Sequence, residues 1–328
     1  MTAEIEAPEA RIVGPLAPDH PERRWARTQP SRLASRTRRV LLALGVLTSV
    51  VVVALGFVFS QSVLAVAHPG ARTFAVTLQS VTELPDGTLT VAFADEDQDG
   101  LLAEVGLATS GGYGRLLGEP QVTSGIVTRS YVHVRGALPT SGDLADLDAY
   151  AWPDDLAAFG LVTGVPVEAV DVADPDSAPS GPLGAWLVGG RSEQVLLYVH
   201  GRGATRAEGL RLARIAADAG WSTLLVSHRG DGIAADPEPA VGGFGTVEWP
   251  DLTPAMTWLE DNGARSVVLA GSSQGAMTAG LWWENVGRAA ADAGSPVVVG
   301  ALFDSPLVSL QATLRQAAAN QGIPRLLA

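Results

Sequence analysis

The chain has 328 residues, of which 47% are apolar and only 17% charged, and its formal net charge is −13. This length allows a large core and two domains, and the apolar content makes a membrane segment worth seeking. Residues 1–39 contain eight arginines and five acidic residues, a net charge of +3, so the remaining residues carry −16. Such an acidic part excludes nucleic acid as a partner, because phosphate contacts require a basic surface. The absence of cysteine excludes disulfides and thiolate metal sites.

The N-terminal region predicts a membrane anchor. Residues 1–39 have no period that would bury a face and are predicted to be a disordered cytoplasmic tail. Residues 40–59 contain no charged side chain, and twenty helical residues span the hydrocarbon core. We therefore predict a transmembrane helix over residues 40–66, with the lipid bilayer as its partner. Four arginines precede this stretch, which puts the N-terminus in the cytoplasm and the residues after about 67 outside, in a single-pass protein of the cell membrane.

Two other interpretations of this stretch remain. Ala65, Val66 and Ala67 resemble the cleavage site of a signal peptide, although the apolar region is longer and the leading region larger than such peptides usually have. A buried core helix is the second alternative. Every face of the stretch is apolar, which favours a membrane helix over a core helix.

Residues 72–140 predict a β-rich segment, since residues 73–78, 89–93 and 126–134 are rich in β-branched and aromatic side chains and are separated by glycine-containing turns. Residues 95–100 match the first half of a calcium loop, but the twelfth position is Gly106 where a glutamate is needed. An acidic hairpin turn is the better interpretation. Residues 141–165 are predicted to be a connector that packs on a neighbouring element.

Strands alternate with helices in residues 166–328. Apolar strands are predicted at residues 167–172, 184–188, 194–199, 222–227, 266–270 and 297–303. One helix is predicted to begin with a capping box at Thr205 and Glu208. Two more helices are predicted over residues 247–260 and 276–293. Four tryptophans on these helices, at positions 249, 258, 282 and 283, are predicted to be packing residues. This alternation indicates an α/β fold, a mostly parallel sheet with helices on both faces.

The strand at residues 266–270 runs directly into Gly271-Ser272-Ser273-Gln274-Gly275, after which helix-compatible sequence begins. Strand, Gly-x-Ser-x-Gly and helix are the parts of a nucleophile elbow, in which a sharp turn exposes the serine and tiny neighbours avoid a collision. Ser273 is the predicted nucleophile, and the backbone N–H of Gln274 is the predicted oxyanion donor. A structural Gly/Ser loop is the alternative.

A second motif, His200-Gly201-Arg202-Gly203, follows the strand at residues 194–199. A turn of this kind supplies the second oxyanion donor from its backbone, here the N–H of Arg202. The alternative is that Gly201 and Gly203 only form the turn and His200 packs against it.

Together with residues 227–230 (Ser-His-Arg-Gly) and 303–306 (Phe-Asp-Ser-Pro), these motifs resemble the α/β-hydrolase superfamily, and within it esterases and prolyl-oligopeptidase-like serine hydrolases. The resemblance covers residues 165–328. It implies an acyl-enzyme on Ser273 and hydrolysis of a small ester, amide, thioester or peptide substrate, with a histidine as base and an acid that orients it. It implies no cofactor and no metal.

The sequence departs from this family in one respect. The triad order of the fold is serine, acid, histidine, but the five histidines are at positions 20, 68, 133, 200 and 228, and none follows Ser273. Asp304 is a weak candidate for the acid, with a structural turn as its alternative. His228 lies at a strand end but matches no base position of the family. The last strands of the family's sheet are also missing from the sequence pattern. We therefore predict that the chain is a fragment of an enzyme and is inactive as given.

Two functions remain. The first is a membrane-anchored serine hydrolase with an extracytoplasmic catalytic domain. The second is a non-catalytic, membrane-tethered binding or scaffold module that keeps half of the hydrolase fold.

Overall fold

The computed structural model describes residues 32–94, 103–172, 183–234, 242–291 and 296–320. The acidic segment at residues 95–100 and the predicted tail up to residue 31 lie outside these ranges. By contacts the chain divides into two units, Met1–Ser60 and Gln61–Ala328.

The described part of the first unit is helical. Helix α1 spans Arg32–Leu64, so it begins before the predicted apolar stretch and ends two residues short of the predicted end. Residues Arg36–Val58 are long and apolar enough to cross a membrane, with a mean hydropathy of 2.7 and no part of the window buried. One apolar helix near the N-terminus thus meets the requirements of an anchor or a signal sequence.

A seven-stranded antiparallel sheet opens the second unit. Its strands are β1 (Val76–Thr77), β2 (Ser80–Glu83), β3 (Leu89–Ala94), β4 (Val105–Thr109), β5 (Gly112–Thr123), β6 (Ile126–Gly136) and β7 (Leu144–Asp148). The spatial order is β1-β7-β4-β5-β6-β3-β2. The predicted β-rich character is present, but the first predicted strand is reduced to two residues.

The predicted connector at residues 141–165 is more ordered than its sequence suggested. It supplies β7, which pairs with β1 and β4 inside the antiparallel sheet, and helix α2 (Leu156–Thr163). Asp155 caps α2, because its carboxylate accepts a hydrogen bond from the N–H of Ala158 at 2.9 Å. Trp152 and Phe159 are buried and meet edge to face at 4.6 Å between ring centroids.

A six-stranded sheet organises the remaining residues. Its strands are β8 (Val167–Asp171), β9 (Gly184–Val188), β10 (Gln194–Val199), β11 (Ser222–Val226), β12 (Ser266–Ser272) and β13 (Val297–Asp304). The order is β13-β12-β10-β11-β9-β8. Strands β10 to β13 run parallel, and β8 and β9 pair antiparallel. The architecture is α/β, with a mostly parallel sheet, as the sequence predicts.

Helices cover both faces of this sheet. The covering helices are α3 (Leu210–Asp218), α4 (Leu252–Asp261) and α5 (Gln274–Trp282), and two further helices are α6 (Arg288–Ala291) and α7 (Leu310–Asn320). One core cluster joins β10, β11 and β12 to α4 and α5 and contains Trp282, with the other three helix tryptophans packed against it. The other cluster joins the opposite face to α3, α2 and the antiparallel sheet through Tyr113 and Val134.

Two predicted helices differ in their details. The helix predicted at residues 247–260 begins later, as a 3₁₀ turn over Trp249–Asp251 that continues into α4. The one predicted at 276–293 begins earlier, at Gln274, and contains a π-helical turn over Trp283–Gly287 between α5 and α6. A Cβ at Gly287 would lie 2.5 Å from the Trp283 ring, so the wide turn accommodates bulky indoles beside a glycine.

Candidate active site

Ser273 lies in a strained turn between β12 and α5. Its backbone angles are φ 49° and ψ −111°, a combination that L-residues rarely adopt and that costs on the order of 1–3 kcal/mol. The pleat of β12 therefore ends abruptly, and α5 begins at the next residue. This is the local geometry that the Gly-x-Ser-x-Gly pattern predicts.

The two glycines of the elbow are required by close approach of backbone. A Cβ at Gly271 would lie 2.6 Å from the carbonyl carbon of Gly275. A Cβ at Gly275 would lie 2.6 Å from the carbonyl carbon of Val199 and would collide with its oxygen. The elbow is thus pressed against the end of β10, and only glycine fits at either position.

Main-chain hydrogen bonds hold the elbow to the turn after β13. The N–H of Ser273 donates to the carbonyl of Asp304 at 2.9 Å, and the N–H of Leu307 donates to the carbonyl of Ser273 at 3.2 Å. The carboxylate of Asp304 is exposed and accepts a hydrogen bond from the Ser305 hydroxyl at 2.9 Å. Asp304 therefore reaches Ser273 through its backbone, which favours its structural interpretation over the role of triad acid.

The turn after β10 lies beside Ser273. A Cβ at Gly201 would lie 3.6 Å from the Cβ of Ser273. The next residue is Arg202, and Gln274 opens α5, where first-turn N–H groups have no acceptor within the helix. The two predicted oxyanion donors thus belong to neighbouring turns at the carboxyl end of the parallel strands, where ligands of such sheets bind.

Glu208 has a different partner from the one its motif predicts. In a capping box its carboxylate would return to the N–H of Thr205, but it accepts instead from the N–H of Gly201 at 2.7 Å. Thr205 caps the 3₁₀ turn Arg206–Gly209 through the N–H of Ala207, at 3.3 Å. Glu208 therefore braces the turn that carries Arg202.

A buried polar cluster lies behind these turns. His200 faces the carbonyl of Gly201 with Nδ1, at 2.9 Å, and the carboxylate of Asp231 with Nε2, at 3.2 Å. Burial alone would raise the pKa of Asp231, but the hydrogen bond and charge of His200 and the N–H groups of Ala234 and Ile233 hold it well below its usual range.

His228 stacks on His200 with ring centroids 4.4 Å apart. Its Nδ1–H donates to the carbonyl of Arg229 at 3.0 Å, which leaves Nε2 as the acceptor nitrogen. Nε2 is buried and has no hydrogen-bond partner within the described ranges. Burial and the neighbouring His200 lower the pKa of His228, so the ring is neutral at pH 7.

Two further carboxylates fix the adjoining loops. Asp251 accepts from the backbone N–H of Arg229 at 2.8 Å and pairs with its guanidinium, which raises the pKa of Arg229. Glu248 is buried and accepts from the N–H groups of Gly243 at 2.9 Å and Gly245 at 2.7 Å. Charge-assisted hydrogen bonds therefore hold these loops.

Sequence reasoning missed the roles of Asp231, Glu248 and Asp251. For Asp231 a signal existed, because β10 and β11 are neighbours and His200 and Asp231 both follow their carboxyl ends. Glu248 and Asp251 lie far from β11 in sequence, and their pattern gives no sign of their partners. Within the described ranges, no group of three His, Asp or Glu side chains could hold a metal ion.

No protein-family model matches the chain, and no curated protein matches it. Solved structures do match the chain. An esterase of Pyrococcus furiosus is 20% identical over 51% of this chain and 61% of that chain, with a TM-score of 0.41. The α/β-hydrolase GrgF of a Penicillium species is 20% identical over 48% and 53%, with a TM-score of 0.35. A bacterial membrane phospholipase A is 23% identical over 44% and 41%, with a TM-score of 0.32.

The chain is similar to α/β hydrolases. It spans about three fifths of the length of the archaeal esterase that it matches.

Proposed function

We propose that this chain is a membrane-anchored serine hydrolase that cleaves an ester, amide or thioester through an acyl-enzyme on Ser273. The observation that carries the proposal is the backbone of Ser273, held at φ 49° and ψ −111° between β12 and α5 by two glycines that tolerate no side chain. Strain of this kind persists only where the surrounding structure enforces it, and it is concentrated at functional sites.

The reaction would proceed in two steps. Ser273 Oγ bonds to the carbonyl carbon while the bond to the leaving group breaks, and the leaving group takes the hydroxyl proton. Water then bonds to the acyl carbon while the bond from that carbon to Ser273 Oγ breaks. Oγ takes a proton of the water, and the carboxylic acid is released. In both steps the N–H groups of Arg202 and Gln274 would stabilise the oxyanion, a contribution of about 3 kcal/mol for each donor in comparable sites.

The expected rate of acylation depends on a base that takes the proton of the Ser273 hydroxyl. His200 uses both ring nitrogens, for Gly201 and Asp231, and His228 donates to Arg229 through Nδ1. Nε2 of His228 has no partner among the described residues, and no hydrogen bond there joins it to Ser273. A serine without a positioned base is a weak nucleophile. We therefore expect slow reaction with strong electrophiles and ester turnover close to background.

Labelling with a fluorophosphonate probe tests the proposal. The full chain in detergent is expected to incorporate one probe molecule, at Ser273 by peptide mass spectrometry, and Ser273→Ala is expected to incorporate none. Ser272→Ala, one residue away, is the matched control and is expected to react like the parent.

A folded parent that does not react even at high probe concentration would refute the enzyme assignment. That outcome would support the second candidate, a membrane-tethered binding or scaffold module.

A further inference from the structure

The last residue of α1 and the residues after it contact turns at the carboxyl end of the parallel strands. We call residues 64–69 the tether, all of which belongs to the second unit. The carbonyl of Leu64 accepts a hydrogen bond from the N–H of Gly242 at 2.7 Å. The carbonyl of Ala65 accepts one from Nη2 of Arg202, also at 2.7 Å. The tether is therefore bonded to the turn after β10 and to the loop that precedes α4.

Van der Waals contacts continue along the tether. A Cβ at Gly203 would lie 3.9 Å from the Cβ of Ala67, and a Cβ at Gly232 would lie 3.6 Å from the Cβ of His68. These are ordinary contact distances. The tether thus lies on the turns after both β10 and β11, at the edge of the sheet where Ser273 follows β12.

The chain between the apolar window of α1 and these contacts is short. The window ends at Val58, and Leu64 is six positions later. Because α1 is helical as far as Leu64, these residues cover about 9 Å, and a fully extended chain would cover at most about 22 Å. The head groups add about 5–7 Å to each side of the hydrocarbon core. A window that spans a bilayer therefore leaves Leu64 at or just beyond the head groups.

Exposed aliphatic side chains stand beside the tether. Ile233 is 46% exposed and directly follows Gly232. Val247 is 39% exposed and belongs to the same loop as Gly242, to which Leu64 is bonded. Single exposed aliphatic side chains are common on any protein surface. Next to a membrane tether, however, these two are placed to enter the boundary between head groups and acyl chains.

The charges on this edge also suit a lipid surface. The chain beyond residue 39 carries a net charge of −16, which by itself would oppose contact with anionic head groups. On the turns beside the tether, however, three carboxylates are buried and hydrogen-bonded to backbone N–H groups, those of Asp231, Glu248 and Asp251. The Arg202 side chain is exposed, and a guanidinium matches the geometry of a phosphate group.

We propose that the carboxyl edge of the parallel sheet, with the turns that carry Arg202 and Ser273, lies against the lipid surface, and that the substrate is an ester or amide carried by a membrane lipid. The tether holds this edge at the height of the head groups, where the bond to be cleaved in such a lipid is located. This inference rests on the proposed function, that is, on the anchor and on Ser273, and the experiments below distinguish failure of the one from failure of the other.

Fluorescence quenching tests the surface without any catalysis. The chain has no cysteine, so a bimane on a single cysteine reports one position. The full chain is placed in vesicles of phosphatidylcholine and phosphatidylglycerol. Ile233→Cys and Val247→Cys are expected to lose at least about half of their fluorescence when the head groups carry a nitroxide. Glu193→Cys is the matched control, because position 193 is exposed and precedes β10 at its other end, about 20 Å away.

The control is expected to keep its fluorescence. Equal quenching of all three labelled positions, or the strongest quenching at position 193, would overturn the lipid-facing surface.

Two fluorophosphonates test the substrate class. One carries a hexadecyl chain and partitions into the vesicles, and the other carries a sulfonate and stays in water. The matched variant has a linker of about 18 glycine and serine residues inserted between Ser60 and Gln61, whose reach of about 23 Å frees the edge from the lipid. We expect the lipid-borne probe to label Ser273 at least about tenfold more slowly in the linker variant. The rate with the water-soluble probe is expected to stay the same.

An unchanged ratio of the two rates in the linker variant would overturn the lipid substrate while leaving the role of Ser273 intact. No labelling by either probe, together with quenching at positions 233 and 247, would refute the proposed function and the lipid substrate with it, whereas the lipid-facing surface would stand.

Discussion

At the scale of single residues, the site depends on positions where one atom more cannot be accommodated. Gly275 and Gly280 lie in the same helix, α5, yet their surroundings differ. A Cβ at Gly275 would meet the main chain of Val199 and His200, whereas a Cβ at Gly280 would meet only the ring of Phe303, at 3.9 Å. Backbone cannot move aside as a flexible side chain can. A substitution at Gly275 therefore tests a steric requirement, whereas a substitution at Gly280 tests helix propensity.

We expect Gly275→Ala to lower the free energy of unfolding by about 3 kcal/mol, because the new methyl group forces β10 and the elbow apart. Gly280→Ala is expected to raise it by up to about 1 kcal/mol, since alanine favours a helix interior over glycine. Urea denaturation of both variants in the same detergent measures the difference. Equal effects of the two substitutions would contradict the packing of the elbow on β10.

The contact of the Asp231 carboxylate with Nε2 of His200 is a second feature at this scale, and it makes stability depend on pH. A carboxyl whose folded-state pKa lies below its unfolded value stabilises the fold fully above the unfolded pKa, about 3.9. This contribution is lost as the pH falls from there through the lower folded-state pKa.

Asp231→Asn is therefore expected to cost about 3 kcal/mol at pH 7, because it leaves His200 without its buried partner. Below about pH 4 the difference from the parent should shrink. Asp218→Asn breaks an exposed pair with Arg214 and should cost less than about 0.5 kcal/mol at any pH. Thermal unfolding between pH 7 and pH 2.5 checks this, and a constant difference over that range would contradict the depressed pKa of Asp231.

At the scale of elements, β13 is an exposed edge strand of the six-stranded sheet among the residues that the structure describes. Its partner is β12, and it is the last strand in the sheet order. Of its eight residues, only Val298 is even partly buried, while Val297, Val299 and Leu302 are about half exposed. An apolar, unprotected edge strand is a template for pairing with another chain.

We expect the protein to self-associate through this edge, and Val299→Lys to weaken the association at least about tenfold, because a charged side chain on an edge opposes pairing. Val122→Lys, at a similarly exposed valine of the antiparallel sheet, is the control and should leave the association unchanged. Light scattering over a concentration series in detergent measures both. Monomeric parent protein at all concentrations would contradict the expectation.

At the scale of the whole molecule, the orientation of the candidate membrane helix decides on which side of a bilayer the candidate site lies. The window Arg36–Val58 is long and apolar enough to span a bilayer, and arginines are concentrated before it. From the positive-inside rule we expect a cytoplasmic tail and a candidate site on the outer side.

Single cysteines test this topology, since the natural chain has none. In intact cells, a membrane-impermeant maleimide is expected to label Ser110→Cys, in an exposed turn of the antiparallel sheet, and not Thr28→Cys. Lysed cells should show labelling of both. The reverse pattern would contradict the orientation, and a shortened N-terminus by mass spectrometry would favour a cleaved signal sequence over an anchor.

The sequence by itself determined the local features, because they depend on neighbours along the chain. The alternation of strands and helices, the apolar helix and the Gly-x-Ser-x-Gly elbow follow from periodicity and from the steric needs of glycine and serine. The sequence also indicated which two turns lie at the same edge of the sheet.

Only the tertiary structure decided the interactions between distant segments. Glu208 braces Gly201 instead of closing a capping box, residues 141–165 supply a strand, and Asp304 reaches Ser273 through its backbone. The path of residues 64 and 65 was least accessible to sequence reasoning, because Leu64 and Ala65 accept hydrogen bonds from Gly242 and Arg202 through their own main-chain carbonyl oxygens. Every residue has such atoms, so no residue type in the sequence marks these contacts.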